Sequence, residues 1–281
     1  MVFKELQEAV RVTGRTPVLF IPGIVAGLLG ALVWVLYNLY GSFFTTRLVI
    51  IFALVMVLFI AGTFCIIKKN DGGAGTLVTD GARYYFRVLL PWLVIFFILM
   101  LVFFVVMTLM MIFSGGVVDY ATAGVCALFF MIPTVVMVFF CDTAAVFSDL
   151  RVFASLRQSI LVVSRNTWKV MGFFVTCCLL AFVNFFVFAV IWEALLFNKL
   201  EPLTRFNETQ LATFTPDQLV SMIGPDGMWV TAVMIFFGFV FLVPLLITYK
   251  ATFYQSLTGS GAAPIQQMTG EYDSKGRWYK Y

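Results

Sequence analysis

The chain has 281 residues, 62% of them hydrophobic and 11% charged, with a formal net charge of +4 and no histidine. A soluble domain carries about 45–50% apolar and about 25% charged residues, so this composition excludes an ordinary soluble fold and points to a polytopic membrane protein. Without histidine the chain lacks the commonest general base near neutral pH, the usual nucleophilic triad and the commonest metal ligand.

The first predicted element runs through Leu6–Arg15. Phe3, Leu6 and Val10 recur at spacings of three and four, which predicts an amphipathic helix lying in the membrane interface. Val18–Tyr40 follows, the first of six stretches without Asp, Glu, Lys or Arg; the others are Leu48–Ile67, Leu89–Phe113, Ala121–Cys141, Val170–Trp192 and Met228–Tyr249. At about 1.5 Å per residue each is long enough to cross a ~30 Å hydrocarbon core. None alternates with a period of two, so the predicted spans are helices and not barrel strands. The first continues to Tyr40 without a polar region leading to a cleavage site, so it reads as a retained span rather than a signal peptide. The fold class is therefore all-α: a six-helix integral membrane domain over residues 1–255, with a flexible tail over residues 256–281.

Gly23, Gly27 and Ala31 place small residues on one face of the first span, as close helix packing requires. Gly72-Gly73-Ala74-Gly75 lacks the Gly-Lys-Ser/Thr of a phosphate loop and reads as a joint. Pro133 and Pro244 fall inside the fourth and sixth spans, where a missing N–H predicts kinks. Asp142 directly follows the fourth span. Two roles are open to it: capping the next helical segment, which is the expected one, or a proton relay or headgroup-metal contact. Asp149-Leu150-Arg151 reads as a surface pair at a helix start. Asn184 is the deepest amide, expected to make an interhelical hydrogen bond, with a polar substrate contact as the alternative. Asn207-Glu208-Thr209 is an N-glycosylation sequon in the loop before the sixth span.

The surface segment recurs. Leu6-Gln7-Glu8-Ala9-Val10-Arg11 and Arg15 match Leu156-Arg157-Gln158-Ser159-Ile160-Leu161 and Arg165 at a shift of 150 positions, and Asp80, Gly81, Arg83 and Arg87 form a weaker copy at a shift of 72. Each copy leads into two spans, which predicts three units of a surface helix plus a transmembrane hairpin. The six arginines Arg11, Arg15, Arg83, Arg87, Arg157 and Arg165 then form a candidate ring for anionic lipid headgroups. Fifteen of the eighteen Lys and Arg fall on the side of the chain termini, Lys250 among them. Only Arg47, Lys199 and Arg205 fall on the other side, so the positive-inside rule predicts a cell-membrane protein with both termini in the cytoplasm.

Cys65, Cys126, Cys141, Cys177 and Cys178 all lie in spans without metal-finger or redox spacing and read as packing residues. Asp80, Asp142 and Asp149 are scattered through separate segments, so no metal site and no cofactor is expected. The tail alternates cations with aromatics over Lys275–Tyr281 after the linker Gly259–Pro264, as an interfacial anchor or a docking motif for a protein partner would. The net charge follows from topology, so nucleic acid is not an expected partner.

Phe140-Cys141-Asp142-Thr143-Ala144-Ala145-Val146-Phe147-Ser148-Asp149, with Ser155-Leu156-Arg157-Gln158-Ser159, Arg165-Asn166 and the opening Arg15-Thr16-Pro17 and Ile21-Pro22, resembles a group of six-helix proteins. These are the membrane domains fused to some glycerophosphodiester phosphodiesterases, and their stand-alone bacterial and archaeal relatives. The resemblance covers roughly residues 1–255 and implies a membrane module without catalytic residues of its own. The phosphodiesterase barrel, with its His and metal-binding carboxylates, is missing, so its activity does not carry over. The expected function is a non-enzymatic module organising lipid or a partner protein at the cytoplasmic face; the alternative is an uncoupled carrier for an apolar or lipid-like solute.

Overall fold

The computed structural model describes residues 2–70, 72–113, 120–207, 210, 213–259, 270–272 and 278–280. Helix α1 (Val2–Arg15) stops at Thr16, and a 3-10 turn opening on Pro17 leads into α2 (Ile21–Tyr40). Gly41 separates α2 from α3 (Ser42–Lys69); its φ of 74° lies in the left-handed region that glycine enters without steric cost. Next come α4 (Ala74–Phe113), α5 (Tyr120–Val138), the short α6 (Cys141–Phe147), α7 (Val152–Arg165), α8 (Thr167–Leu200) and α9 (Pro216–Gly259). In the tail, β1 (Gly270–Tyr272) pairs antiparallel with β2 (Trp278–Lys280).

The domain is all-α. Among the described residues six helical stretches are long and apolar enough to cross a membrane, as a multi-pass membrane protein requires: Pro17–Tyr40, Ser42–Lys69, Ala74–Phe113, Ala121–Phe147, Thr167–Leu203 and Gln218–Gly259. Two boundaries differ from the expected ones for a physical reason. The second surface segment is not a separate helix but the first turns of α4, because Arg83–Leu90 contains neither Gly nor Pro to end it. The fourth span does not run unbroken to Cys141, because α5 ends at Val138 and α6 starts afresh after a turn at Phe139 and Phe140. Inside α9 the backbone leaves helical geometry at Gly224, with φ of 66°. There Lys199 Nζ donates to the freed Ile223 carbonyl at 2.7 Å.

The three copies dock alike. Ala9, Gly81 and Ser159 are equivalent under the shifts of 72 and 150, and all three are buried. Ala9 on α1 lies in one buried cluster with Tyr249 and Phe253 of α9, and the two helices are in contact. A Cβ on Gly81 would stand 2.5 Å from the Leu58 carbonyl oxygen of α3. Ser159 Oγ donates to the Met137 carbonyl at 2.9 Å at the end of α5. Each surface segment thus sets its small residue on the last span of the preceding unit, and α1 on α9 closes the ring. The small-residue face of α2 also lies at a crossing: a Cβ on Gly23 would stand 2.7 Å from the Val240 carbonyl oxygen, and one on Gly27 2.6 Å from that of Phe236. Gly30 also lies at this crossing, where a Cβ would stand 2.8 Å from the Phe239 ring.

The core lies at the end of the bundle that carries α1, α6 and α7, here called the basic end. Ala9, Phe140, Val163, Phe173, Phe253 and Tyr254 form one buried cluster there, and Ala61, Phe64, Val88, Val146 and Ala251 a second. Further along α4, α5 and α8 large apolar side chains such as Phe97, Phe129 and Phe185 stay exposed, as lipid-facing positions do.

Candidate functional site

The site is built around α6. Its residues Cys141–Val146 are all buried, and α3, α4, α7 and α9 surround it. Thr143, Ala144 and Ala145 are small enough for helices to close on it from several sides. Asp142 enters this core with its carboxylate, and Lys250 Nζ on α9 reaches its Oδ2 at 2.7 Å. The two side chains are only 4% and 11% exposed. Lys250 Nζ also lies 4.0 Å from the ring centroid of Phe139 and 5.7 Å from that of Trp92, which adds cation–π attraction in a low dielectric. Oδ1 of Asp142 accepts from the Thr143 backbone N–H at 2.6 Å and from Thr143 Oγ1 at 3.1 Å.

Both carboxylate oxygens are therefore engaged. The expected capping role is corrected: Asp142 lies within the first turn of α6, whose N-cap is Phe140 and has no side-chain cap bond. Lys250 is also corrected, from a flanking tail cation to a buried partner, because α9 continues past the span to Gly259 and carries it into the core. Two further bonds hold α6. Lys68 Nζ donates to the Val146 carbonyl at 2.7 Å, a cation at the helix C-terminus where the dipole favours it. Ser159 Oγ accepts from the Phe140 N–H at 3.1 Å, so one hydroxyl joins both sides of the α5–α6 turn to α7.

Asp80 and Asp149 stitch neighbouring units. Lys69 Nζ at the end of α3 meets Asp80 Oδ2 at 2.5 Å on α4. Asp149 has φ of 53° in the turn between α6 and α7 and accepts from Arg87 Nη1 on α4. Its expected pairing with Arg151 gives way to this longer-range bond, while Arg151 is the N-cap of α7. The three carboxylates thus each face a different cation, and among the described residues no group of three His, Cys, Asp or Glu side chains is placed to hold a metal.

All six arginines of the surface segments are exposed. Arg11 pairs with Glu8 at 3.7 Å and Arg87 with Asp149, while Arg15, Arg83, Arg157 and Arg165 have no carboxylate within 4.0 Å among the described residues. At the other end Asn207 is exposed; its Oδ1 accepts from the Gln210 N–H at 2.8 Å, and Gln210 Oε1 accepts from the Asn207 N–H at 3.0 Å. This is the reciprocal pattern of a capping box. Glu208 and Thr209 of the sequon lie outside the described residues, as do residues 260–269 of the linker and 273–277 and 281 of the cation–aromatic tail.

Asn184 does not make the expected interhelical hydrogen bond among the described residues. It lines a cavity of about 440 Å³ between α8 and α9, with Phe188, Trp192, Thr231 and Gly238. Gly238 faces this amide without a side chain; a Cβ there would stand 3.6 Å from Asn184 Nδ2. Lys250 and this cavity are the features that sequence reasoning missed. The spacing of Tyr249, Phe253 and Leu257 past the sixth span is the signal that could have shown α9 continuing as a buried helix.

The chain belongs to the family described as "Domain of unknown function (DUF7847)", which it matches over residues 1–257. No curated protein and no solved structure matches it.

Proposed function

We propose that this member of the DUF7847 family is a non-enzymatic membrane module that gathers anionic lipid, or a partner protein, at its basic end, with that end in the cytoplasm. The observation that carries the reading is the exposed set of six arginines on three equivalent segments, four of them with no carboxylate within 4.0 Å among the described residues. Each cation near an anionic surface contributes about 1 kcal/mol of attraction. Beneath them α6 and its ion pair join the units into a platform, which supports a role in presenting a surface. Replacing all six arginines by Gln is expected to lower copurifying anionic phospholipid at least threefold, read by mass spectrometry of protein purified in mild detergent. Unchanged lipid content would overturn the proposal.

The placement in the cell membrane with both termini inside belongs to the same reading and is supported by the fifteen cations on the terminal side. The likeness to the membrane domains of glycerophosphodiester phosphodiesterases is supported by Phe140–Asp149, its longest matching stretch, which contains the whole of α6. A second reading, an uncoupled carrier for an apolar solute, is favoured by the cavity between α8 and α9.

A further inference from the structure

The α8–α9 cavity stands apart from the basic end, and its chemistry points to its own ligand. No charged side chain lines it, so the ligand is neutral. Lys169 and Glu193 bracket the charge-free part of α8, and Asn184 lies nine residues from Glu193, about 14 Å along the helix. Asn184 therefore sits inside a ~30 Å hydrocarbon core, below the ester carbonyls at the core's edge, while Trp192, next to Glu193, marks the end of the cavity nearest that edge. An ordinary phospholipid thus brings its tails to this level and not its oxygens. The indole N–H of Trp192 is already donated to Thr231 Oγ1 at 2.8 Å. Asn184 has no hydrogen-bond partner among the described residues, and an amide in hydrocarbon is costly to leave unpaired. A Cβ on Gly238 would stand 3.6 Å from Asn184 Nδ2 and 3.8 Å from the Phe188 ring, so glycine keeps the space before the amide open. Phe185, Phe188 and Phe239 supply ring walls, and about 440 Å³ is within the range of small-ligand sites.

We propose that this cavity binds a neutral, ring-bearing lipid of the quinone class. Its ring lies between the phenyl walls, one ring carbonyl accepts from Asn184 Nδ2, and its prenyl tail runs into the bilayer. Each feature has its counterpart: the neutral body for the uncharged lining, the flat ring for the aromatic walls, and a carbonyl at mid-depth for the unpaired amide. The inference does not depend on the reading of the basic end.

The test uses the full chain in phosphatidylcholine nanodiscs with an azido-decylubiquinone photoprobe, the labelled peptides being mapped by mass spectrometry. Label is expected within 181–192 of α8 or 231–242 of α9. Excess unmodified decylubiquinone should reduce it at least fivefold, and added phosphatidylcholine should not. Asn184→Leu, which removes the amide, and Gly238→Leu, which fills the cavity, should each reduce that label at least fivefold. Label at exposed positions of α4 such as Phe97 serves as the reference for non-specific contact. Label spread equally over α4, α5 and α8, or displaced as well by phosphatidylcholine as by decylubiquinone, would overturn the proposal. So would label indifferent to both substitutions. The competition in the unmodified chain keeps the test decisive if either variant fails to fold.

Discussion

Lys250 shows how one side chain's role depends on what packs around it. A lysine just after an apolar span ordinarily reaches for headgroups, yet here its ammonium is held between a carboxylate and two rings. Removing one member of such a pair strands the other charge in a low dielectric. Lys250→Met is therefore expected to lower unfolding stability by about 3–5 kcal/mol. The double variant Asp142→Leu with Lys250→Met should recover most of that loss, because well-packed apolar replacements of a buried pair are often neutral. Reversible unfolding in mixed micelles measures both, and a single variant as stable as the unmodified chain would refute this role for the buried ion pair. Asp142 was legible in the sequence as the carboxylate directly after the fourth span. Its partner was not, because 108 residues separate the two.

Among the elements, the α3–α4 crossing depends on the absence of side chains. A Cβ on Gly62 would run into the Leu77 carbonyl oxygen, and one on Gly81 would stand 2.5 Å from that of Leu58. The obstacle is backbone in both cases, so neither helix gives way without moving as a whole. Gly62→Ala is expected to cost at least about 1–3 kcal/mol by overpacking, seen as a lower thermal midpoint in detergent. Gly75→Ala, with nothing within 4 Å of the added carbon, is the control and should hold or raise the midpoint. The Gly23–Gly27 face was readable because its spacing lies on one helix. The Gly62–Gly81 crossing was not, since it requires two glycines on different helices to meet.

At the scale of the whole molecule, three units dock through Ala9, Gly81 and Ser159, and the ring closes where α1 meets α9. Tyr249 and Thr252 reach the Val2 and Glu5 carbonyls of α1, each at 3.4 Å, so the first and last helices brace each other at the basic end. With an even number of spans, a reporter fused at Gly73 should be cytoplasmic and one at Phe214 external. A cytoplasmic signal from Phe214 would reverse the orientation drawn from charge.

The sequence by itself determined the class, the six apolar helices, the triplication and the small-residue face of α2. These depend on local quantities: hydropathy over some twenty residues, spacing along one helix and self-similarity at a fixed shift. Only the tertiary structure decided that α6 is buried, that Lys250 serves Asp142 and that Asn184 faces a cavity. Burial of a charge and emptiness beside an amide are properties of neighbours that come from distant parts of the chain. No window along the sequence contains both the group and what surrounds it.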